Sequence, residues 1–294
     1  MFNISIGIMA YNEESNIGLL LHSILKQSFT HGALKEIIVV ASGCTDRTEE
    51  ITRSFMRKDK RIKLIVQKLR EGKASAINQF LSAASSEILI LESGDTIPED
   101  DTLNKLIAPF NDSHIGMTGA HPVPINPKDT FIGFTVNLLW SLHHNIALTT
   151  PKLGELVAFR NFVRTIPSDS AVDEASIEAI VREEGYELCY VSNAIVINKG
   201  PDTIRDFIRQ RRRIAAGHKH LLLTNNYRVS TSDPFKILKI LLREHSWKIR
   251  GTIWMLCAIA LEMTGRFLGL YDFYIRKKNP YIWDIAFSTK RLKE

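Results

Sequence analysis

The chain has 294 residues, 45% of them hydrophobic and 24% charged, with no low-complexity run. That composition excludes disordered and fibrous classes, and the length suggests one large domain with an appendage. The 3 cysteines, Cys44, Cys189 and Cys257, are too few and too scattered for a disulfide framework or a cysteine metal site. Met1 leads straight into a strand-like run without a basic n-region, so a cytosolic compartment is expected. The net charge of +6 divides unevenly: residues 1–198 carry −6 and residues 199–294 carry +12. A basic C-terminal third points to a polyanion, and its hydrophobicity favours a lipid surface over nucleic acid, for which no reader motif is present.

In chain order, Ile4–Met9 reads as a buried strand, and Ser15–Gln27 repeats Ile17, Leu20, Leu21, Ile24 and Leu25 at helical spacing. Glu36–Ala41 is a second strand, followed by the turn Ser42-Gly43-Cys44 and a helix from about Thr45. Arg61–Gln67 is a third strand, Lys73–Ala84 a third helix and Glu87–Leu91 a fourth strand. Strands alternating with helices at this spacing imply right-handed βαβ units and a mostly parallel sheet. Ligands bind beyond the carboxyl ends of such strands, where Asn12, Glu13, Asp46 and Asp95 collect. Downstream, Phe131–Leu148 is rich in Phe, Leu, Ile and Trp and ends near His143 and His144. Ile177–Gly185 reads as helix, Glu187–Asn198 as strand and Ile204–His220 as a basic helix.

Three ordered segments then carry a resemblance. Ile8-Met9-Ala10-Tyr11-Asn12-Glu13-Glu14-Ser15-Asn16-Ile17 resembles the P-x-Y-N-E-x-x-x-I opening of family 2 glycosyltransferases, with Met9 in place of the proline. Val40 to Thr48 is similar to that family's V-x-D-G-S-T-D-x-T, and Glu71 to Asn78 to its G-K-x-x-A-L-N. The resemblance implies a GT-A-like, Rossmann-type α/β domain and an inverting hexosyl transfer from a UDP- or GDP-linked sugar. It implies a donor set of Ala10, Tyr11, Glu13, Asp46, Lys73 and Asp95, with Glu13 near the ribose or base and Asp46 accepting from a base ring N–H. Asp46 is equally placed to cap the following helix.

Where the family carries D-x-D after the fourth strand, this chain has Ser93-Gly94-Asp95. Asp95 is therefore the expected ligand for Mg²⁺ or Mn²⁺, bound together with the donor diphosphate and water. Glu92 alongside should point to the opposite face of the strand. Ala171 to Ser176 resembles the family's T-E-D-x-D segment, and Arg182-Glu183-Glu184-Gly185-Tyr186 its R-x-x-G-Y. Glu174, with Asp173, is the expected general base or positioning group for the acceptor. Gly154 and Arg160 match an acceptor-side G-x-x-x-x-x-R, and Gln210 and Arg213 match Q-x-x-R-W with Ile214 replacing the tryptophan.

Gly251–Leu261 is apolar, but Glu262 and Arg266 follow it, leaving about half of the ~20 residues that span a bilayer. Trp247, Lys248 and Arg250 precede it, and Arg276-Lys277-Lys278 come after Tyr274. Such flanks suggest a helix lying in the interface, or a tight hairpin inserted from one side. The expected organisation is a catalytic domain over 1–225 and a basic, apolar helical region over 226–294 at the cytoplasmic face of a membrane. The expected partner is a lipid-linked or glycan acceptor, and no nucleic acid. Two other readings remain open: a nucleotidyltransferase, and a non-catalytic nucleotide-binding or membrane-docking subunit.

Overall fold

The computed structural model describes residues 1–227, 229, 234–244, 249–279, 281–282, 287–290 and 292. The strands β1 (Phe2–Ala10), β2 (Gly32–Ser42), β3 (Ile62–Gln67) and β4 (Ile88–Ser93) pair in parallel in the order β3-β2-β1-β4. They alternate with α1 (Ile17–Lys26), α2 (Thr48–Lys58) and α3 (Lys73–Ala83), which is the βαβ half read from the sequence. β1 is apolar along almost its whole length because it lies between β2 and β4 with both faces covered. One face packs on Ile17, Leu20, Leu21 and Ile24 of α1, and the other on Ile77 and Phe80 of α3.

The second half breaks the parallel pattern. After the two-residue β5 (Ile97–Pro98) and α4 (Thr102–Ile107) come β6 (Ile115–Pro124), α5 (Phe131–Ala147), β7 (Leu156–Arg160), α6 (Asp173–Glu183) and β8 (Glu187–Asn198). β7 inserts antiparallel between β4 and β6, β8 runs parallel to β6, and the sheet has eight strands. Four of its seven pairings are parallel and three antiparallel, so the sheet is mixed. The antiparallel β7 explains how one layer can gather residues from chain segments far apart.

Among the described residues three α-helices follow: α7 (Ile204–Asn225), α8 (Pro234–Glu244) and α9 (Ile249–Tyr274). In place of a short interfacial run or a hairpin, α9 is one continuous helix of 26 residues. Glu262 and Arg266 do not interrupt it, because Glu262 accepts from Arg211 of α7 at 2.6 and 2.8 Å and from Arg266 at 2.6 Å. Arg212 likewise pairs with Asp272. Small residues let the two helices approach, since a Cβ on Gly265 would lie 2.6 Å from the Arg211 side chain. Among the described residues α9 is the one helix long and apolar enough to cross a membrane, with mean hydropathy 1.5 and 17% of that stretch buried. The expected anchors Trp247 and Lys248 lie outside the described residues.

At the sheet's centre a Cβ on Gly7 would sit 2.5 Å from the ring of Phe80, which is fully buried. Gly7→Ala should therefore destabilise the fold by about 1–3 kcal/mol, the usual cost of overpacking a closed core, read as a lower urea midpoint with unchanged slope.

Candidate active site

The site lies beyond the carboxyl ends of β1 and β4, in a cavity of 1240 Å³ lined by Tyr11, Glu13, Lys73, Asp95, Asp173 and Glu174 among others. β1 ends at Ala10, and Asn12 turns the chain with φ 53° so that Glu13 points back under the strand ends. Glu13 is 3% exposed and its main-chain N–H donates to Thr48 Oγ1 at 2.7 Å. Register places Met9 beside Ser93, and the Gly94 N–H donates to the Met9 carbonyl at 3.1 Å. A Cβ on Gly94 would come within 2.8 Å of the Glu13 side chain, so the middle of Ser93-Gly94-Asp95 must be bare for Asp95 to stand beside Glu13. Glu92 faces the other side, as expected: it is buried, accepts from Thr96 Oγ1, and leaves Oε2 without a partner among the described residues.

Lys73 opens α3 directly after Gly72, whose φ of 97° suits glycine. Its ammonium donates to Ser93 Oγ at 3.1 Å and to Glu174 Oε1 at 2.6 Å. Burial works against charge on both partners, but the pairing wins: the Lys73 pKa is raised and that of Glu174 lowered. Asp173 behaves oppositely. It is 2% exposed, its Oδ1 has no partner among the described residues, and burial next to the Glu174 charge pushes its carboxyl up despite Lys73. Arg213 of α7 also faces this carboxylate group, and burial pulls its own pKa down.

Three members of the site were not anticipated. Glu155 stands at φ 62° in the cavity wall, and burial together with Asp95 and Glu174 pushes it up to about 7. A non-glycine residue in that conformation is a mark of functional strain, but φ is not readable from a sequence. Arg70 stacks over the Tyr11 ring at 4.2 Å. Lys290, from the far C-terminus, reaches Glu13 directly and Asp95 Oδ2 at 3.9 Å. Asn16 holds that tail, donating to the Lys290 carbonyl at 2.7 Å and accepting from the Leu292 N–H at 3.2 Å. Even so, burial first and the Asp95 charge second push Glu13 up to about 8.

Most of the expected site residues come together. Ala10, Tyr11, Glu13, Lys73, Asp95, Gly154, Asp173, Glu174, Gln210 and Arg213 all line the one cavity. Two do not. Arg160 is at the wrong end of its strand: β7 runs antiparallel to β4, so Arg160 pairs with Ile88 at the amino end of β4. There its guanidinium donates to the carbonyls of Phe110, Asp112 and Ile115 at 2.9–3.0 Å. Asp46 does not line the cavity. Its carboxylate is taken up by Thr48 N–H, Thr48 Oγ1 and Glu14 N–H at 3.0, 2.6 and 2.9 Å, the turn-and-cap role also read for it.

A mixed sheet with carboxylates gathered past β1 and β4 is a GT-A arrangement, and comparison with solved structures agrees. The mannosyltransferase PcManGT of Pyrobaculum calidifontis, solved with GDP-Man and Mn²⁺, matches with a TM-score of 0.63 at 19% identity over 95% of this chain and 87% of that one. Glucosyl-3-phosphoglycerate synthase of Mycobacterium tuberculosis, solved with Mn²⁺, UDP and phosphoglyceric acid, matches at 0.54 and 18% over 76% and 78%. At these identities the likeness is one of fold. Residues 5–166 match the family model described as glycosyl transferase family 2, and the chain belongs to that family. A poly-β-1,6-N-acetyl-D-glucosamine synthase of Staphylococcus epidermidis is 25% identical over 90% of this chain and 66% of its own length. The probable glycosyltransferase YdaM of Bacillus subtilis is 25% identical over 75% and 56%. The chain thus spans between about half and two thirds of the length of these relatives.

The buried Glu92 carboxyl is pushed up to about 8, by burial first and then by Glu155 and Asp95 against the Thr96 hydroxyl. A carboxyl whose folded pKa exceeds its unfolded one favours folding below the unfolded value, near 4.5, and that contribution is lost as pH rises towards 8. Glu92→Gln should flatten the fall in unfolding free energy between those pH values by up to a few kcal/mol, at about 1.4 kcal/mol per pKa unit. Urea titrations at the two ends of that range check it.

Proposed function

We propose that the protein is an inverting glycosyltransferase that moves a hexosyl group from a UDP- or GDP-linked sugar to a lipid-linked acceptor at the cytoplasmic face of a membrane. The observation that carries the reading is the gathering of Glu13, Asp95, Glu155, Asp173 and Glu174 around Lys73, Lys290 and Arg213, in a chain of this family. In a single displacement an acceptor oxygen attacks the anomeric carbon while the bond to the diphosphate breaks. The electron pair leaves with the nucleoside diphosphate, and the acceptor proton passes to a carboxylate.

Asp173 rather than Glu174 is the better base. Glu174 is held ionised by Lys73, which weakens it as a proton acceptor, whereas Asp173 carries an oxygen without a partner among the described residues and a raised pKa. Glu174 then positions Lys73 against Ser93 and the donor side of the cavity.

The donor set fits a divalent cation only together with its substrate. Among the described residues no group of three His, Cys, Asp or Glu could hold a metal alone. Glu13 and Asp95 nevertheless already enclose a cation, the Lys290 ammonium, which stands in for one. Mg²⁺ is ordinarily held by one or two carboxylates plus substrate phosphates, so Asp95 would hold the ion that arrives with the donor. Such an ion would neutralise charge developing on the leaving diphosphate. The Mn²⁺ and nucleotide of the two structural neighbours support this reading. Residues 1–225 would form the catalytic domain, and 226–294, with the apolar α9, the part that meets the membrane.

Release of nucleoside diphosphate, measured across a panel of UDP- and GDP-sugars with Mn²⁺ or EDTA and with or without lipid extract, tests the proposal. Asp173→Asn should lower kcat by about 10²–10⁴-fold, the usual contribution of a positioned base, with nucleotide affinity retained. Asp95→Ala should remove the response to Mn²⁺. Unchanged turnover in both variants would overturn the assignment, and a larger loss in Glu174→Gln than in Asp173→Asn would return the base to Glu174.

Lys290→Met tests the stand-in role separately. With the ammonium gone from between Glu13 and Asp95, half-maximal stimulation should need several-fold less Mn²⁺, because like charges no longer compete for one site.

A further inference from the structure

The cavity wall between the donor and acceptor sides holds one carboxylate that the transfer step leaves without a role. Glu155 directly precedes β7. The last rung between β4 and β7 pairs Glu92 with Leu156, so the next residues outward, Ser93 and Glu155, stand side by side. Ser93 lies close to Asp95 in the chain, and its hydroxyl accepts from Lys73, which also holds Glu174. After burial, the charges that act most on Glu155 are those of Asp95 and then Glu174, with Lys73 and Arg213 opposing them. The Glu155 carboxylate lines the cavity and makes no hydrogen bond or ion pair among the described residues.

The backbone that presents this carboxylate is strained. The Leu156 N–H donates to the Gly154 carbonyl at 2.8 Å, closing a three-residue turn around Glu155 at φ 62°. The form of this turn with positive φ at its centre is rare and costly for a residue with a side chain. It is held from both flanks, by the Leu153 N–H on Glu178 Oε1 at 2.5 Å and by the β7 ladder. Glycine would relieve the turn, yet the position carries a long acidic side chain that lines the cavity. Strain that the surroundings over-determine in this way marks a residue placed for function.

In the proposed transfer the leaving diphosphate lies towards Asp95 and the acceptor towards Asp173, so the hexosyl ring passes between them, along Glu155. This carboxylate would repel a diphosphate, and the chain's own cation sits with Glu13 and Asp95 instead. Sugar hydroxyls are neutral donors, and one carboxylate can accept from two neighbouring hydroxyls at once. We propose that Glu155 binds hydroxyl groups of the transferred hexosyl unit and so selects the donor sugar. The inference rests on the transferase reading and adds to it the residue that reads the sugar. A site built to bond a hydroxyl discriminates strongly against a sugar that lacks it, because the polar group of the site is then left unpaired.

The test is nucleoside diphosphate release by the full chain, with lipid extract present, from UDP-glucose, UDP-N-acetylglucosamine and GDP-mannose. The monodeoxy analogues of whichever donor is turned over follow. Glu155→Gly should lower kcat/KM for the parent donor about ten- to a hundredfold, the scale of hydrogen bonds to a charged group, and Glu155→Gln should lower it less. With an analogue that lacks the bonded hydroxyl, wild type and variants should react equally, while the other analogues keep the full gap. UDP or GDP affinity and the Mn²⁺ concentration for half-maximal stimulation should stay as in the wild type. An equal loss with every analogue would make Glu155 a base or a structural residue, and a raised Mn²⁺ requirement would make it a metal ligand. Either result, or an unchanged kcat/KM, would overturn the inference. Melting curves control for folding: Glu155→Gly should be no less stable than the wild type, because relief of the turn offsets a looser unfolded chain. If that variant melts early, Glu155→Gln decides by the same comparison of analogues. Release from none of the three donors would end the transferase reading and this inference with it. Release without a hydroxyl-specific loss would end this inference alone.

Discussion

The site depends on one ion pair, Lys73 with Glu174, which joins segments 101 residues apart. Lys73 belongs to the parallel half of the sheet, at the start of the helix after β3. Glu174 belongs to the mixed half, in the first turn of the helix after β7. A part-buried pair of this kind adds little net stability, because partial desolvation of both charges offsets their attraction, but losing one partner leaves the other without its counter-charge. Its main effect is on geometry. With Glu174 fixed to Lys73, and Lys73 fixed to Ser93 at the end of β4, the neighbouring Asp173 is brought into the same cavity as Asp95.

Around that pair the protein gathers carboxylates. Those of Glu13, Asp95, Glu155, Asp173 and Glu174 share the cavity with Lys73, Arg213 and Lys290 among its cations. Burial first, with neighbouring carboxylates added, raises the pKa of Glu13 to about 8 and of Glu155 to about 7, and raises that of Asp173 as well. Carboxyls that hold protons near neutrality because they are desolvated are poised to exchange those protons for a cation. The Lys290 contact is the same tendency met from within the chain. From the C-terminal segment the Tyr281 carbonyl lies against Gly72, and Lys290 reaches the Tyr11 carbonyl at 3.4 Å and supplies one positive charge where two carboxylates converge.

How much of this was legible in the sequence follows from how local each feature is. The βαβ half was readable because its strands are short apolar runs and its helices amphipathic, and both are short-range patterns. Of the donor-side residues, Glu13 and Asp95 could be placed from their strand ends, and Tyr11 and Lys73 from the segments that resemble the family. Arg160 was misplaced because strand direction does not show in a sequence: in a parallel β7 it would have stood near the site, and in the antiparallel β7 it stands at the opposite edge. Lys290 is 277 residues from Glu13, and only the course of the tail brings them together. The length of α9 was underestimated for a related reason, since Glu262 and Arg266 read as interruptions until Arg211 is placed beside them.

The run Arg211-Arg212-Arg213 links these parts. Successive residues on a helix point about 100° apart, so three adjacent arginines on α7 serve three places. Arg211 takes Glu262 and Arg212 takes Asp272, both on α9, while Arg213 faces the carboxylates of the site. One rigid helix therefore ties the apolar, largely exposed α9 to the chemistry at the sheet ends. Helix α9 cannot tilt or slide against α7 without straining two paired arginines whose neighbour lines the cavity, and the glycines at 265 and 269 hold the two backbones too close for slack. The surface on which α9 rests and the electrostatics around Asp173 are thus mechanically one unit. The proposed transfer from an apolar phase would use this coupling, because it fixes the apolar helix relative to the charged site.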